Sequence, residues 1–561
     1  PSRSLGAAMP IPRKETVLLL EHVRVITMDP SRPRAEAVLC RKGVIEAVGT
    51  EEELEELLRP TDTRFDCGEL VLVPGFIDSH THFLAMGLDT LRVDLSEARD
   101  RKGLLGALRA RVRGTPKGEW IFGVNFDESK WAGERALPAR EELDARVSEE
   151  HPVVARRVCG HIGVANTLAL ERIGPEWTEV DRDTGLLKED VVLRLSRIVG
   201  VTDEEARKAI ETATRAAYES GVTTVVDLAD QRTFRTYMAM DYEGQVAIRL
   251  FCAVEAREFG PLWDEGYEVN HDPESGMVRL LGMKAFLDGS LGARTAALSE
   301  PYADDPGTKG DLLVPEDELR GMVRWAEERR LQLFLHAIGD RAVDVALDAI
   351  GAEAADGNPL RHRIEHLEYA RPEQLGRMKE LRVIASMQPN FAHQWSHPGG
   401  MNEERLGPER ASRTDACREV WSEGIPLAFG SDCMPFGPMT GLQGAVNHPV
   451  EDQSLPPVVA LRAYTSGSAW AIHAEDWLGA IIPGMAADLV LLSEDPDEAE
   501  DLSTIRPILT VLGGFLVHID SEGFNRAVNR SARRALEQAL MDTEAPPGLG
   551  LDGPRDEEDE E

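Results

Sequence analysis

Between residues 71 and 430 the chain sets out eight short apolar runs separated by longer stretches, and this rhythm restricts the fold more than any other feature. The runs are Val71 to Ile77, Val222 to Leu228, Ile248 to Val254, Leu280 to Phe286, Leu333 to Leu335, Arg363 to His366, Val383 to Met387 and Leu427 to Gly430. Such runs suit strands buried on both faces, the condition of a parallel sheet covered by helices. Between them, Asp203 to Ser220 follows a capping box of Thr202 and Glu205, and Glu316 to Arg330 keeps apolar residues at helical spacing. Eight buried strands alternating with helices predict an α/β fold with a closed TIM-type (β/α)8 barrel. An open doubly wound sheet would more often carry a Gly-rich dinucleotide turn after its first strand, where this chain has Pro74-Gly75-Phe76-Ile77-Asp78-Ser79-His80.

The two ends have another texture. Val23 to Thr27 and Gly43 to Val48 near the start, and Leu489 to Leu492 and Ile508 to Leu512 near the end, read as short strands broken by turns. Because sheet edges need partners, both ends are expected to build one small β-sandwich-like domain, 9–70 plus 478–541, around a barrel of residues 71–477. An insertion of about residues 88–200 is too long for an ordinary barrel connection. It carries strand-like runs at Trp120 to Phe126 and Val153 to Val158, and is expected to form a subdomain over the barrel mouth. Residues Pro1 to Ala8, ahead of Met9, are set aside from the fold, and 542–561 read as a disordered acidic tail.

Charge and cysteine usage narrow the function classes. A net charge of -37 repels nucleic-acid phosphate and anionic lipid, so neither is an expected partner. No apolar run approaches the roughly 18 to 20 residues of a membrane span. The six cysteines lie far apart with no Cys-x-x-Cys pair, which suits a reducing cytoplasm.

The chemistry gathers at strand ends. His80 and His82 are two apart just beyond an apolar run, so a pleat sets both imidazoles on one side. His336 closes Leu333-Phe334-Leu335, His366 closes Arg363-Ile364-Glu365, and Asp432 follows Leu427 to Ser431. C-terminal strand ends converge at a barrel's mouth, and a mixed nitrogen and oxygen set suits Zn2+ better than Mg2+ or Ca2+. Lys284 lies inside the fourth run, where an ammonium is costly unless paired or neutralised. It is either paired with an acid such as Asp288 or chemically modified.

Val73 to His82, with its Pro74-Gly75-Phe76-Ile77-Asp78-Ser79-His80-Thr81-His82 sequence, resembles the first-strand signature of the amidohydrolase superfamily, and the later His, His and Asp match its fifth, sixth and eighth strands. Gly479 to Val490 is similar to the stretch where these chains return to their β-sandwich. Lys284 to Thr295 and His336-Ala337-Ile338-Gly339-Asp340 resemble the branch that includes N-substituted formamide deformylases. The resemblance implies two divalent metal ions, with Zn2+ the expected ion: His80, His82 and Asp432 on one, His336 and His366 on the other. It further implies that Lys284 is carboxylated by CO2 and that its carbamate bridges both. The expected reaction is hydrolysis of a carbon-nitrogen bond in a small amide, formamide or cyclic amide by a metal-bound hydroxide, with Asp432 as the proton shuttle.

His161, in Cys159-Gly160-His161, matches a Gly-His dipeptide of this branch and is a second catalytic candidate, as a donor to the substrate oxyanion or as a structural loop residue. Gly289 and Gly292 are expected to shape the loop after strand four, and Arg294 to pair with an acid rather than a substrate carboxylate. Asp340 is expected to cap the next helix rather than orient a ligand histidine, and Cys433, with no activating base, to pack. Trp131 and Phe126 suit a substrate pocket or the insertion's core, and His393, His397 and His448 carry no readable role. Two alternatives remain: a mononuclear deaminase, or a non-catalytic metal-binding barrel used for assembly. A homodimer is the oligomer that the superfamily's habits imply.

Overall fold

The computed structural model describes residues 17–520 and 523, except 60, 61, 132, 134, 159, 161, 176, 178, 189, 194, 271 and 273–275. The acidic tail expected over 542–561 and the segment around Met9 lie outside the described residues.

The chain ends build two sheets. One has the order Val44–Gly49, Ala37–Arg41, Val17–Glu21, Thr63–Asp66; the other runs Phe515–Ile519, Pro507–Leu512, Leu489–Leu492, Val71–Pro74, Arg24–Ile26, Arg34–Ala35. Alternate residues meet in one buried cluster: Leu18, Leu20, Val38, Cys40 and Phe65 from the first sheet, Val25, Leu72, Leu489, Leu491, Leu509 and Val511 from the second. This period-two burial is what a strand with one face on a shared core requires.

One expectation is corrected here. The apolar run Val71 to Ile77 is two strands in two sheets. Val71–Pro74 pairs antiparallel with Leu489–Leu492, whereas Phe76–Thr81 pairs parallel with Val222–Ala229. Gly75 is the pivot: its N–H donates to the Asp488 carbonyl at 2.8 Å, and a Cβ there would stand 2.4 Å from Thr223 Oγ1. Pro74 has no N–H to extend the first ladder. Hydrophobicity runs unbroken across the pivot, so periodicity alone cannot reveal it.

The barrel strands are, in order, Phe76–Thr81, Val222–Ala229, Arg249–Glu255, Val278–Phe286, Gln332–Ala337, Arg363–His366, Ile384–Met387 and Leu427–Phe429. Every neighbouring pair from one to eight is parallel. Helices such as Gln231–Tyr242, Glu316–Arg329, Asp340–Glu353 and Pro372–Leu381 separate them, as the sequence rhythm predicts. No ladder is drawn between strands eight and one. That seam is joined by Ser79 Oγ donating to the Phe429 carbonyl at 2.8 Å and by the Asp432 N–H donating to the His80 carbonyl at 2.8 Å. Arg249, its side chain 11% exposed, and buried Asp488 form a two-pronged ion pair of 2.8 and 3.0 Å that fastens strand three to the start of Leu489–Leu492.

Phe83–Ala213 is a separate compact unit. Its sheet runs Val180–Asp181, Leu186–Lys188, Ile162–Ala165, Val153–Arg157, Ile121–Phe126, Val93–Asp94. One buried cluster includes Leu104, Leu105, Leu108 and Leu143 of helices Arg101–Val112 and Arg140–Arg146, and a second includes Ala169, Leu170 and Ile173 of helix Thr167–Ile173. Phe126 and Trp131, ring centroids 6.3 Å apart, belong to the first cluster, so both serve this unit's core. Thr202 and Glu205 form the expected reciprocal cap, with bonds of 3.2 and 2.8 Å.

Among the described residues no helix is long and apolar enough to cross a membrane, and Cys40, Cys67, Cys252, Cys417 and Cys433 form no disulfide.

Candidate metal centre

Barrel strands bring the expected ligands together from distant parts of the chain. His80 lies in strand one and His82 just beyond it; His336 is in strand five, His366 ends strand six, and Asp432 lies past strand eight. The ligand atoms of His80, His82 and Asp432 lie within 4.8 Å of one another. Asp432 Oδ1 is 3.3 Å from His82 Nε2 and 3.7 Å from His80 Nε2. The His366 ring stands between two others, its centroid 4.6 Å from that of His80 and 4.5 Å from that of His336. His336 Nε2 lies 3.0 Å from the Gly289 carbonyl, in the loop after strand four.

The backbone is bent to make this possible. His366 and Leu367 have φ of 73° and 51°, and Asp432 and Cys433 have 51° and 59°. These are left-handed conformations that side chains other than glycine rarely adopt, and here both pairs sit at candidate ligands. Ser431 fastens the second bend: its N–H and Oγ donate to the Asp78 carboxylate at 2.9 and 2.5 Å. Burial pushes the Asp78 carboxyl up to about 7. Gly430 allows the two segments to meet, since a Cβ there would lie 2.4 Å from the His80 nitrogen.

Electrostatics favour neutral imidazoles. Burial, reinforced by Lys284 and neighbouring histidines, holds His80 and His366 well below the usual histidine range, which leaves ring lone pairs free for a cation. Burial likewise pulls Lys284 down to about 8, opposed by the carboxylates of Glu365 and Asp432. The alternative reading of Lys284, a pairing with Asp288, does not occur. Asp288 instead accepts from the N–H groups of Ala297, Ile338 and Gly339 at 2.9, 3.0 and 2.8 Å. Lys284 Nζ lies 5.0 Å from the Phe286 ring centroid and has no hydrogen-bond partner among the described residues.

Whether these residues fit a metal is tested by their buried polar atoms. His80 Nε2, His366 Nδ1 and Lys284 Nζ are buried and lack hydrogen-bond partners among the described residues. A buried polar atom left without a partner is costly; a cation satisfies the two imidazole nitrogens, and the lysine joins them as a neutral amine or, once carboxylated, through its carbamate oxygens. The residues fit.

Other candidates resolve plainly. His161 lies outside the described residues. Arg294 pairs with Asp304 at 3.1 and 2.6 Å, as expected. Asp340 caps nothing: Gly339 is the N-cap, and the Asp340 carboxylate takes the Ser299 N–H at 2.9 Å together with Arg371. Cys433 is held as a thiol by burial, with Sγ accepting from the His82 N–H at 3.4 Å. His393 and His397 are exposed, and His448 Nδ1 takes the Val450 N–H at 3.0 Å.

Two acids went unread in the sequence. Glu365 lies 2.6 Å from His80 Nδ1 through Oε2. Glu368 is buried against Asp415, whose N–H donates to its carbonyl at 2.8 Å, and its carboxyl is pushed well up by burial and by the charges of Asp415, Asp288 and Asp432. A signal for the first existed, since Arg363 and Glu365 alternate within a run otherwise expected to be fully buried.

A sequence model of the amidohydrolase family matches residues 64–518. The chain is 30% identical over 529 residues to the Bacillus subtilis (strain 168) protein YtcJ, covering 88% of this chain and 98% of that one. It is 26% identical over 539 residues to N-substituted formamide deformylase of Arthrobacter pascens, covering 89% and 98%. Among solved structures, an uncharacterized metal-dependent hydrolase from Pyrococcus furiosus superposes with a TM-score of 0.73 at 28% identity, covering 86% of this chain and 100% of that one.

Proposed function

The chain belongs to the amidohydrolase family, and from that premise we propose that it is a metal-dependent hydrolase that cleaves a carbon-nitrogen bond in a small amide, formamide or cyclic amide. The observation that carries the reading is the convergence of His80, His82 and Asp432 within 4.8 Å, beside buried nitrogens of His366 and Lys284 that have no hydrogen-bond partner among the described residues. The relationship to N-substituted formamide deformylase supports the bond type.

In this reading His80, His82 and Asp432 hold one divalent ion, His336 and His366 a second, and Zn2+ is the expected metal. When bound, such ions lower the pKa of water toward neutrality and polarise a carbonyl. The chain's own residues do the rest. Asp432, with Oδ1 3.7 and 3.3 Å from Nε2 of His80 and His82, accepts a proton from the attacking water and returns it to the departing nitrogen, which leaves poorly as an anion. Lys284 supplies its neutral amine to CO2: the nitrogen forms a bond to carbon as one C–O π pair moves onto oxygen, its proton passes to water, and the resulting carbamate would offer two anionic oxygens as ligands.

The test is metal content by elemental analysis on protein purified without chelators, with intact mass taken under native and acid conditions, followed by a screen of N-formyl amines, N-acyl amino acids and cyclic amides. Two metals per chain and an acid-labile mass of about 44 Da accompany hydrolysis in the expected result. No metal after supply of Zn2+ and bicarbonate would remove the proposal. One ion without the adduct would favour the mononuclear reading, to which the close grouping of His80, His82 and Asp432 alone also lends itself.

A further inference from the structure

We propose that Glu365 is the positioning residue of this centre, holding the His80 ring in the tautomer and orientation that turn Nε2 toward the metal. The inference rests on the metal reading above and adds to it a residue that touches no metal.

A carboxylate can only accept, so the 2.6 Å contact between Glu365 Oε2 and His80 Nδ1 places the ring proton on Nδ1 and leaves the lone pair on Nε2. Nε2 is the atom that faces Asp432 Oδ1 at 3.7 Å and has no hydrogen-bond partner among the described residues. Both side chains are almost completely buried, 1% exposed for His80 and 0% for Glu365, so water does not compete for the contact.

Glu365 is itself held. Arg363 Nε donates to its Oε1 at 2.5 Å and Nη2 to its Oε2 at 3.1 Å. The same guanidinium donates to the Ser79 carbonyl at 2.8 Å and to Ser386 Oγ. Arg363 and Glu365 are two apart on strand six and so share its inward face. Through Ser79 they grip strand one at the residue preceding His80. In a regular strand Glu365 and His366 would face opposite ways, yet both reach His80, one by hydrogen bond and one by a ring contact of 4.6 Å. The left-handed backbone at His366, φ 73°, is what turns the second residue back to the same imidazole.

The test uses the full-length protein and Zn2+ alone as the probe, with affinity from chelator competition. Removing Glu365 by itself strands a buried guanidinium, so the main variant combines Arg363→Met with Glu365→Leu and removes both charges together. Its tightest Zn2+ should bind about 10- to 100-fold more weakly. In 15N-histidine NMR of the metal-free protein, the His80 signal, assigned by its loss in His80→Asn, should leave the Nδ1-protonated form. A folded variant with wild-type Zn2+ affinity, or with His80 still protonated only at Nδ1, would overturn the proposal. If the double variant does not fold, Glu365→Gln is measured in the same way: weakened binding supports the role and wild-type affinity overturns it. Wild-type protein that binds no Zn2+, or whose binding survives His82→Ala, would instead bring down the metal reading and this inference with it. Wild-type binding that His82→Ala abolishes but the Glu365 variants leave intact would bring down the inference alone.

Discussion

Replacing Gly430 by Ala adds a single carbon at the seam of the barrel. Gly430 does not have a positive φ, so alanine suffers no conformational penalty there and any effect must come from space. The added Cβ would stand 2.4 Å from the His80 nitrogen, 2.8 Å from the His80 Cβ and 2.9 Å from Asp78 Oδ1. Ordinary contact begins near 3.4 Å, so strand eight must retreat from strand one by about 1 Å. That movement stretches the 2.8 Å bond from the Asp432 N–H to the His80 carbonyl beyond hydrogen-bond length. Overpacking of this kind costs about 1 to 3 kcal/mol, and the lost bond about 0.5 to 1.5 kcal/mol. The strain falls between His80 and Asp432, two members of the candidate metal trio. The strain is shared between the metal-free fold, whose melting temperature should fall, and Zn2+ affinity, which should drop by at most about 1,000-fold at about 1.4 kcal/mol per decade. Chelator competition and calorimetry measure the two effects separately. A Gly430→Ala protein with wild-type Zn2+ affinity and wild-type melting would refute the claim that this close approach sets the ligand geometry.

Four further outcomes are expected. Asp432→Asn should lower turnover by about 100- to 10,000-fold while circular dichroism stays unchanged; full activity would remove Asp432 as the proton shuttle. Asp488→Ala leaves Arg249 buried without its partner and should destabilise by about 3 to 5 kcal/mol in urea unfolding followed at Trp477, whose ring lies 5.2 Å from the guanidinium. Replacing both by Met and Leu should cost far less, and equal losses would refute the ion-pair account. Hydrogen bonding from Arg294 holds the Asp304 carboxyl below its usual range, so its stabilising effect is full above the unfolded value of about 4 and is lost as pH falls through the lower folded value. Asp304→Asn should thus lower the melting temperature at pH 7 and converge on wild type in acid; a pH-independent difference would count against it. Gly321→Ala is the opposite of Gly430: it lies exposed in helix Glu316–Arg329, where a Cβ meets nothing within 4 Å, and should stabilise by about 0.5 to 1 kcal/mol in urea unfolding, with no gain refuting the helix argument.

What was legible in the sequence is local, and what was hidden is made by contacts across the fold. Strands such as Leu427–Phe429 and Leu489–Leu492 stand where their apolar runs put them, because burial on both faces leaves a continuous signature. Strand one was misread since a single glycine moves the chain between sheets without interrupting that signature. The candidate ligands could be placed because barrel topology brings C-terminal strand ends together whatever lies between them. Asp288 and Asp340 were misassigned for a common reason. Each was matched to a near neighbour in sequence, whereas Asp288 is taken by amides up to 51 residues away and Asp340 by Ser299, 41 residues back. Glu365 stayed hidden likewise, 285 residues from the histidine that it contacts.

Charge ties the metal count to the state of Lys284. The groups that act on this amine are the carboxylates of Glu255, Glu365 and Asp432 and the guanidinium of Arg363. With the lysine protonated, three negative charges face two positive ones, and burial holds His80 and His366 neutral. One divalent ion turns this excess of one negative charge into an excess of one positive. A second ion beside an ammonium would leave three uncompensated positive charges in a space that admits little water, which is strongly unfavourable. Carboxylation removes the positive charge of Lys284 and adds a negative one, so two ions with the carbamate leave the same single positive excess as one ion without it. Of the two-ion states only the carboxylated one is low in charge, whereas one ion leaves a single unit of charge with either form of the lysine. Preparations that hold two metals per chain should accordingly carry the acid-labile mass, and the second ion should be lost whenever CO2 is withheld.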